Sequence, residues 1–200
     1  MFAHLKNKGS ALVVASFLAV GVLAGGVLAA QWHAAVSPDE LGAALSDAHV
    51  VRIADIPADS GYLARGVFAQ KTSGGLFCLW DAPSASAAER QGGCNPSDDP
   101  LGGRMMFVSF AYDGGPAVGS VRDARLIGLT AAAVASVEVV MSDGTRRTVE
   151  LHKTPSSIGN YLAFGLRFGR GGLRRGTSPT AVVAFDGAGS EIDRQVTGFH

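Results

Sequence analysis

The sequence predicts an all-β fold, a β-sandwich or small barrel of about seven to nine strands, preceded by a transmembrane or signal helix and a short amphipathic helix. Three observations predict it. From residue 50 onward, short apolar runs are separated by Gly, Pro and Asp, the punctuation of strands rather than helices. Turn signals recur about every 8 to 12 residues, the spacing expected of sandwiches and barrels. Before all of this, residues 11–30 form one uncharged run rich in Ala, Val, Leu and Gly.

That run is long enough to cross a hydrocarbon core as a helix. Lys6 and Lys8 stand just before it, and the positive-inside bias keeps that end in the cytoplasm. Residues 1–10 are therefore the expected cytoplasmic terminus and residues 11–30 a single-pass cell-membrane anchor, with everything after them extracytoplasmic. Ala24-Gly25-Gly26 and Val27-Leu28-Ala29 both offer the small residues of a signal-peptide cut site; cleavage there makes the protein secreted. The length of the run favours retention. Residues 31–49 follow as a linker and a short helix, with Trp32 where an aromatic ring suits the membrane interface. Ser37-Pro38-Asp39-Glu40 is a capping box with proline at the first helical position, and Leu41, Ala44, Leu45 and His49 fall roughly on one face. A helix over residues 38–47 is predicted.

Residues 50–200 are the expected extracytoplasmic β domain. Residues 50–53 give a first strand, 63–70 a second and 75–80 a third, the last two joined by Lys71-Thr72-Ser73-Gly74. Residues 105–112 are apolar on both faces except for Ser109, which predicts a central strand covered on both sides. Strands at 126–129 and 136–141 come next. The clearest hairpin spans 137–151: Val137, Val139 and Met141 alternate with Glu138, Val140 and Ser142, then Asp143-Gly144 supplies a two-residue turn. Residues 161–168 alternate strictly, with Leu162, Phe164, Leu166 and Phe168 on one face, so one side is expected to be buried and the other wet. Residues 181–185 and 191–196 flank Asp186-Gly187-Ala188-Gly189 as a last hairpin, whose polar final strand suits an edge. Two long loops are expected, at 81–103 and 169–179.

Charge and cysteine content narrow the function. Residues 31–200 hold all 17 acidic residues and 15 of the 17 basic ones, a formal charge of −2, so no global field recruits nucleic acid. The only cysteines are Cys78 and Cys94. Outside the cytoplasm such a pair reads as one disulfide, whose loop would stabilise the fold by about 3 kcal/mol in the chain-entropy model. Two free thiols, or half of a metal site, are the other readings.

Three stretches together carry a resemblance. They are Gly75-Leu76-Phe77-Cys78-Leu79-Trp80 with Gly92-Gly93-Cys94-Asn95-Pro96, Asp123-Ala124-Arg125-Leu126-Ile127-Gly128-Leu129 leading into residues 134–144, and Ala184-Phe185-Asp186-Gly187-Ala188-Gly189. The chain resembles, over about residues 60–195, a group of uncharacterised exported or membrane-anchored β-rich proteins of high-GC Gram-positive bacteria. The resemblance implies an extracytoplasmic β-rich domain and supports the disulfide. It carries no catalytic motif.

No Gly-x-Ser-x-Gly elbow, His-Glu-x-x-His, Gly-x-x-x-x-Gly-Lys or Cys-x-x-Cys occurs in the sequence, so no catalytic residue, metal or cofactor is assigned. His49 and His152 are the only histidines placed to act as a base within the domain. Asn95, Asp98, Asp99 and Asp81 offer oxygen ligands of the kind calcium takes, without a known loop spacing. The stronger candidate is basic. Residues 151–185 contain no acidic residue, and Arg167, Arg170, Arg174 and Arg175 fall within a glycine-rich stretch, 165–176. Guanidinium groups there suit phosphate-rich envelope polymers or anionic lipid headgroups. The sequence thus points to a membrane-anchored, non-enzymatic binding or scaffold module of the cell envelope; the alternative is an envelope hydrolase with a site assembled from distant residues. Protein partners are not specified.

Overall fold

The computed structural model describes residues 50–59, 61–86, 89–113, 122–169 and 177–197, which form twelve strands in three antiparallel four-stranded sheets and no helix. The expected anchor at 11–30 and helix at 38–47 lie outside the described residues. No helix among those described is long and apolar enough to cross a membrane.

The first sheet is built from β1 (Val51–Ile56), β2 (Arg65–Lys71), β3 (Leu76–Ala82) and β4 (Gln91–Pro96), in that spatial order. Period-two alternation sends Val67, Ala69, Phe77 and Leu79 to its inner face and Phe68, Cys78, Trp80 and Ala82 to its outer face. β4 falls inside the expected 81–103 loop, so that expectation is corrected. Gly92, Gly93 and Pro96 suppress the strand signal in sequence, but an edge position tolerates all three. Cys78 and Cys94 are direct partners in the β3–β4 register, and their sulfurs are 2.07 Å apart in a disulfide.

The middle sheet has the order β5 (Met106–Asp113), β6 (Asp123–Ala131), β10 (Tyr161–Arg167), β9 (His152–Lys153). Phe107, Ile127, Leu129 and Ala163 pack against the first sheet. Met106, Ala124, Leu126 and Phe164 pack against the third, whose order is β12 (Glu191–Val196), β11 (Pro179–Phe185), β7 (Ser136–Met141), β8 (Arg146–Val149). The middle sheet is therefore covered on both faces, and β6 is buried along all but its last residue.

Two expectations change because of that layering. The run at 105–112 is apolar on both faces, as β5 confirms, yet β5 sits at the edge of its sheet rather than the centre. Hydropathy reports which faces are covered and is blind to which neighbour completes the hydrogen bonds. The second face of β10 is not wet: Ala163 and Arg167 are buried, and Gly165 lies against β1. Small residues there look like a solvent face in sequence, but they make room for another strand. With β4 and β9 added, the strands exceed the expected seven to nine.

β7 and β8 form the expected hairpin, with Val137 opposite Val149 and both buried. Its loop has three residues rather than two. Met141 and Thr145 close it, the Gly144 amide donates to the Met141 carbonyl at 2.9 Å, and Gly144 has φ +82°. That is a turn followed by a left-handed residue, where glycine is strain-free. β12 is the polar edge strand the sequence predicts.

The approach of β1 to β10 sets a test of the packing. A Cβ on Gly165 would lie 2.7 Å from Ile56 Cγ1 and 2.9 Å from the Asp55 carbonyl oxygen, so Gly165→Ala must push a strand aside. An expected loss of about 1–3 kcal/mol would appear as a lower denaturant midpoint; an unchanged midpoint would contradict this packing.

Candidate functional site

Strand ends rather than a cleft define the chemically richest region. At one end of the first and middle sheets, β1, β3, β5 and β10 finish and β2, β4 and β6 begin. All but β1 contribute terminal charged or polar residues to that end: Arg65 from β2, Asp81 from β3, Gln91 from β4, Asp113 from β5, Asp123 and Arg125 from β6, and Arg167 from β10.

Arg125 is at the centre and fully buried. Its Nε donates to Asp81 Oδ2 at 2.8 Å, its Nη1 to Asp123 Oδ2 at 2.5 Å, and its Nη2 to Gln91 Oε1 at 3.2 Å, with Asp113 Oδ1 at 3.4 Å. Arg65 Nε also donates to Asp81 Oδ2, and its Nη2 to the Glu89 carbonyl at 2.9 Å. Arg167 Nε donates to Asp123 Oδ1 at 2.9 Å, while its Nη atoms reach the Pro57 and Leu63 carbonyls and its guanidinium lies 5.8 Å from the Tyr62 ring centre. Three buried guanidinium groups thus share two buried carboxylates. Such a cluster is held by its geometry, since removing one member strands the others in a low-dielectric interior.

The two sides of the central pair respond differently to burial. For Asp81, burial raises the carboxyl above its ordinary value of 3.8, and the charges of Arg125 and Arg65 offset only part of that. Both arginines address Oδ2, and Oδ1 is buried without a donor among the described residues. For Arg125, burial opposes the charge, but Asp81 and Asp123 outweigh it and hold the pKa above the ordinary guanidinium value.

Of the basic candidates, Arg167 is in β10 and turned inward to Asp123; Arg170, Arg174 and Arg175 lie outside the described residues. His152 is half-exposed in β9, its Nδ1 3.9 Å from Glu150 Oε1, and His49 lies outside the described residues. The possible calcium ligands are not gathered. Asp81 belongs to the arginine cluster, Asn95 is buried and donates through Nδ2 to the Pro100 carbonyl at 2.8 Å, and Asp98 and Asp99 are exposed. Among the described residues no group of three or more His, Cys, Asp or Glu is placed to hold a metal.

Sequence reading overlooked Arg65, Asp123 and Arg125. A signal was present: Arg125 sits inside the apolar run Ala124-Arg125-Leu126-Ile127, and Asp81 directly follows Phe77-Cys78-Leu79-Trp80. A charge embedded in a buried strand requires an opposite charge from another strand.

No protein-family model, curated protein or solved structure matches the chain.

The cluster generates a prediction in which two carboxylates behave differently. Asp123→Asn weakens the compensation of both Arg125 and Arg167 and should cost about 3–5 kcal/mol; Asp81→Asn should cost less, because burial already opposes that charge. The folded chain keeps the Asp81 proton to higher pH than the unfolded chain. Stability should therefore fall as pH rises from the ordinary aspartate value through the raised one. Denaturant midpoints across that range would show this fall in the wild type and not in Asp81→Asn.

Proposed function

We propose that the protein is a non-enzymatic binding module tethered outside the cytoplasmic membrane by residues 11–30, and that it engages phosphate-bearing envelope material through its arginine-rich connection. The observation that carries this reading is the division of the arginines into two sets. Arg65, Arg125 and Arg167 have their charges met inside the fold by Asp81 and Asp123. Arg170, Arg174 and Arg175 follow within eight residues of Arg167, in a stretch of sequence, 151–185, without one acidic residue. The first set is spent on structure; the segment that carries the second brings no acidic residue of its own.

Position adds support. The connection to β11 starts at the end of β10, the same end at which the β1–β2 and β3–β4 connections leave the first sheet. Rigid sheets that gather several connections at one end are a common platform for recognition. Guanidinium groups bind phosphate oxygens in pairs of parallel hydrogen bonds, which gives geometric selectivity as well as charge. A phosphate polymer of the cell wall and an anionic lipid headgroup present the same chemistry.

Full-length protein in neutral detergent micelles, applied at low salt to isolated cell-wall polymer and separately to immobilised anionic phospholipid, distinguishes the two sources. Retention on one of them that is lost at high salt is expected. In Arg170→Ser/Arg174→Ser/Arg175→Ser most of that retention should disappear while the denaturant midpoint is unchanged. Equal retention of wild type and variant would remove the loop from the function.

A further inference from the structure

The outer face of the first sheet is apolar and covered, yet no described strand lies on it. Phe68, Cys78, Trp80 and Ala82 are buried to 4% exposure or less, with Val50, Leu76 and Cys94 partly buried around them. Every other residue of β2 and β3 points to the opposite side, where Val67, Ala69, Phe77 and Leu79 meet the middle sheet. The outer cluster contains no residue of the middle or third sheet. Arg90, over the Trp80 ring at 5.5 Å, covers one margin only.

We propose that residues 38–47 form an amphipathic helix that docks on this face, with Leu41, Ala44 and Leu45 against Phe68, Trp80 and the Cys78–Cys94 disulfide. Connection is the first argument. The segment ends next to Val50, which itself belongs to the outer cluster and leads directly into edge strand β1. Residues 48 and 49 leave too little chain, about 7 Å fully extended, to carry the helix elsewhere.

Size and charge agree with connection. Ten helical residues span about 15 Å, close to the three strand spacings, about 14 Å, from β1 to β4. Arg90 stands at the β3–β4 margin of the face, and at the β1 margin Arg52, already paired with Asp55, stands over Gly66. The segment brings Asp39, Glu40 and Asp47, charges of the opposite sign. On this arrangement the apolar side of the helix and the apolar outer side of the sheet are one core, and the disulfide lies beneath it.

The test uses the full chain in micelles with Trp32→Phe, which leaves Trp80 as its only tryptophan. Trp80 emission should be blue and poorly quenched by iodide. Adding Leu41→Asp and Leu45→Asp should shift the emission to the red and raise quenching severalfold; unchanged emission and quenching would overturn the proposal. A photo-crosslinking amino acid in place of Leu45, in the otherwise unaltered chain, avoids dependence on a destabilised variant. The expected product is an intramolecular link to the peptide containing Phe68 or Trp80. Links confined to a second copy, or to other parts of the chain, would overturn the proposal.

Discussion

The middle sheet has to be dry on both faces, and the rest of the molecule is arranged around that requirement. β6 and β10 carry apolar residues on alternate sides, Ile127, Leu129 and Ala163 toward one neighbour and Leu126 and Phe164 toward the other. A sheet with two apolar faces is stable only when each is covered. The first and third sheets supply those covers, and the third can keep the more polar pattern of an outer layer because the middle sheet absorbs its apolar side. The third sheet does so in the hairpin of β7 and β8, where buried Val137 and Val139 alternate with half-buried Glu138 and Val140.

Burial on two sides also dictates how charge is handled at the strand ends. Arg125 and Arg167 extend from the middle sheet toward the first, and both are buried there. Asp81 and Asp123 are brought to them from β3 and from the start of β6. The resulting cluster ties four strands of the two sheets, β2, β3, β6 and β10, together at the end from which the arginine-rich connection departs. Charge neutralised inside the fold does not contribute to a surface field, so Arg65, Arg125 and Arg167 serve the packing of the strand ends.

Much of the fold was legible because strand periodicity is local. The alternation at 137–141 and its Asp-Gly turn identified a real hairpin, and the polar residues of 191–196 identified a real edge. The same reasoning missed β4, whose Gly92, Gly93 and Pro96 are poor strand formers, and treated Ala163 and Gly165 as a solvent face. Both errors share a cause: small residues are ambiguous until the strand packed against them is known. The site was less legible still. Asp81 pairs with Arg65 from 16 residues away and with Arg125 from 44, and Asp123 meets Arg167 across another 44. No spacing rule joins residues so far apart.

By itself the sequence determined the all-β class, the position of most strands and turns, the single cysteine pair and the concentration of arginine between 167 and 175. These follow from alternation, turn chemistry and composition, each a property of neighbouring residues. Tertiary structure alone decided that there are three sheets, that β5 is an edge while β6 is central, that Cys94 belongs to a strand opposite Cys78, and that Arg167 faces inward to Asp123. Those outcomes depend on which strands become neighbours and on the need of a buried charge for its opposite, and both are settled between segments far apart in the chain.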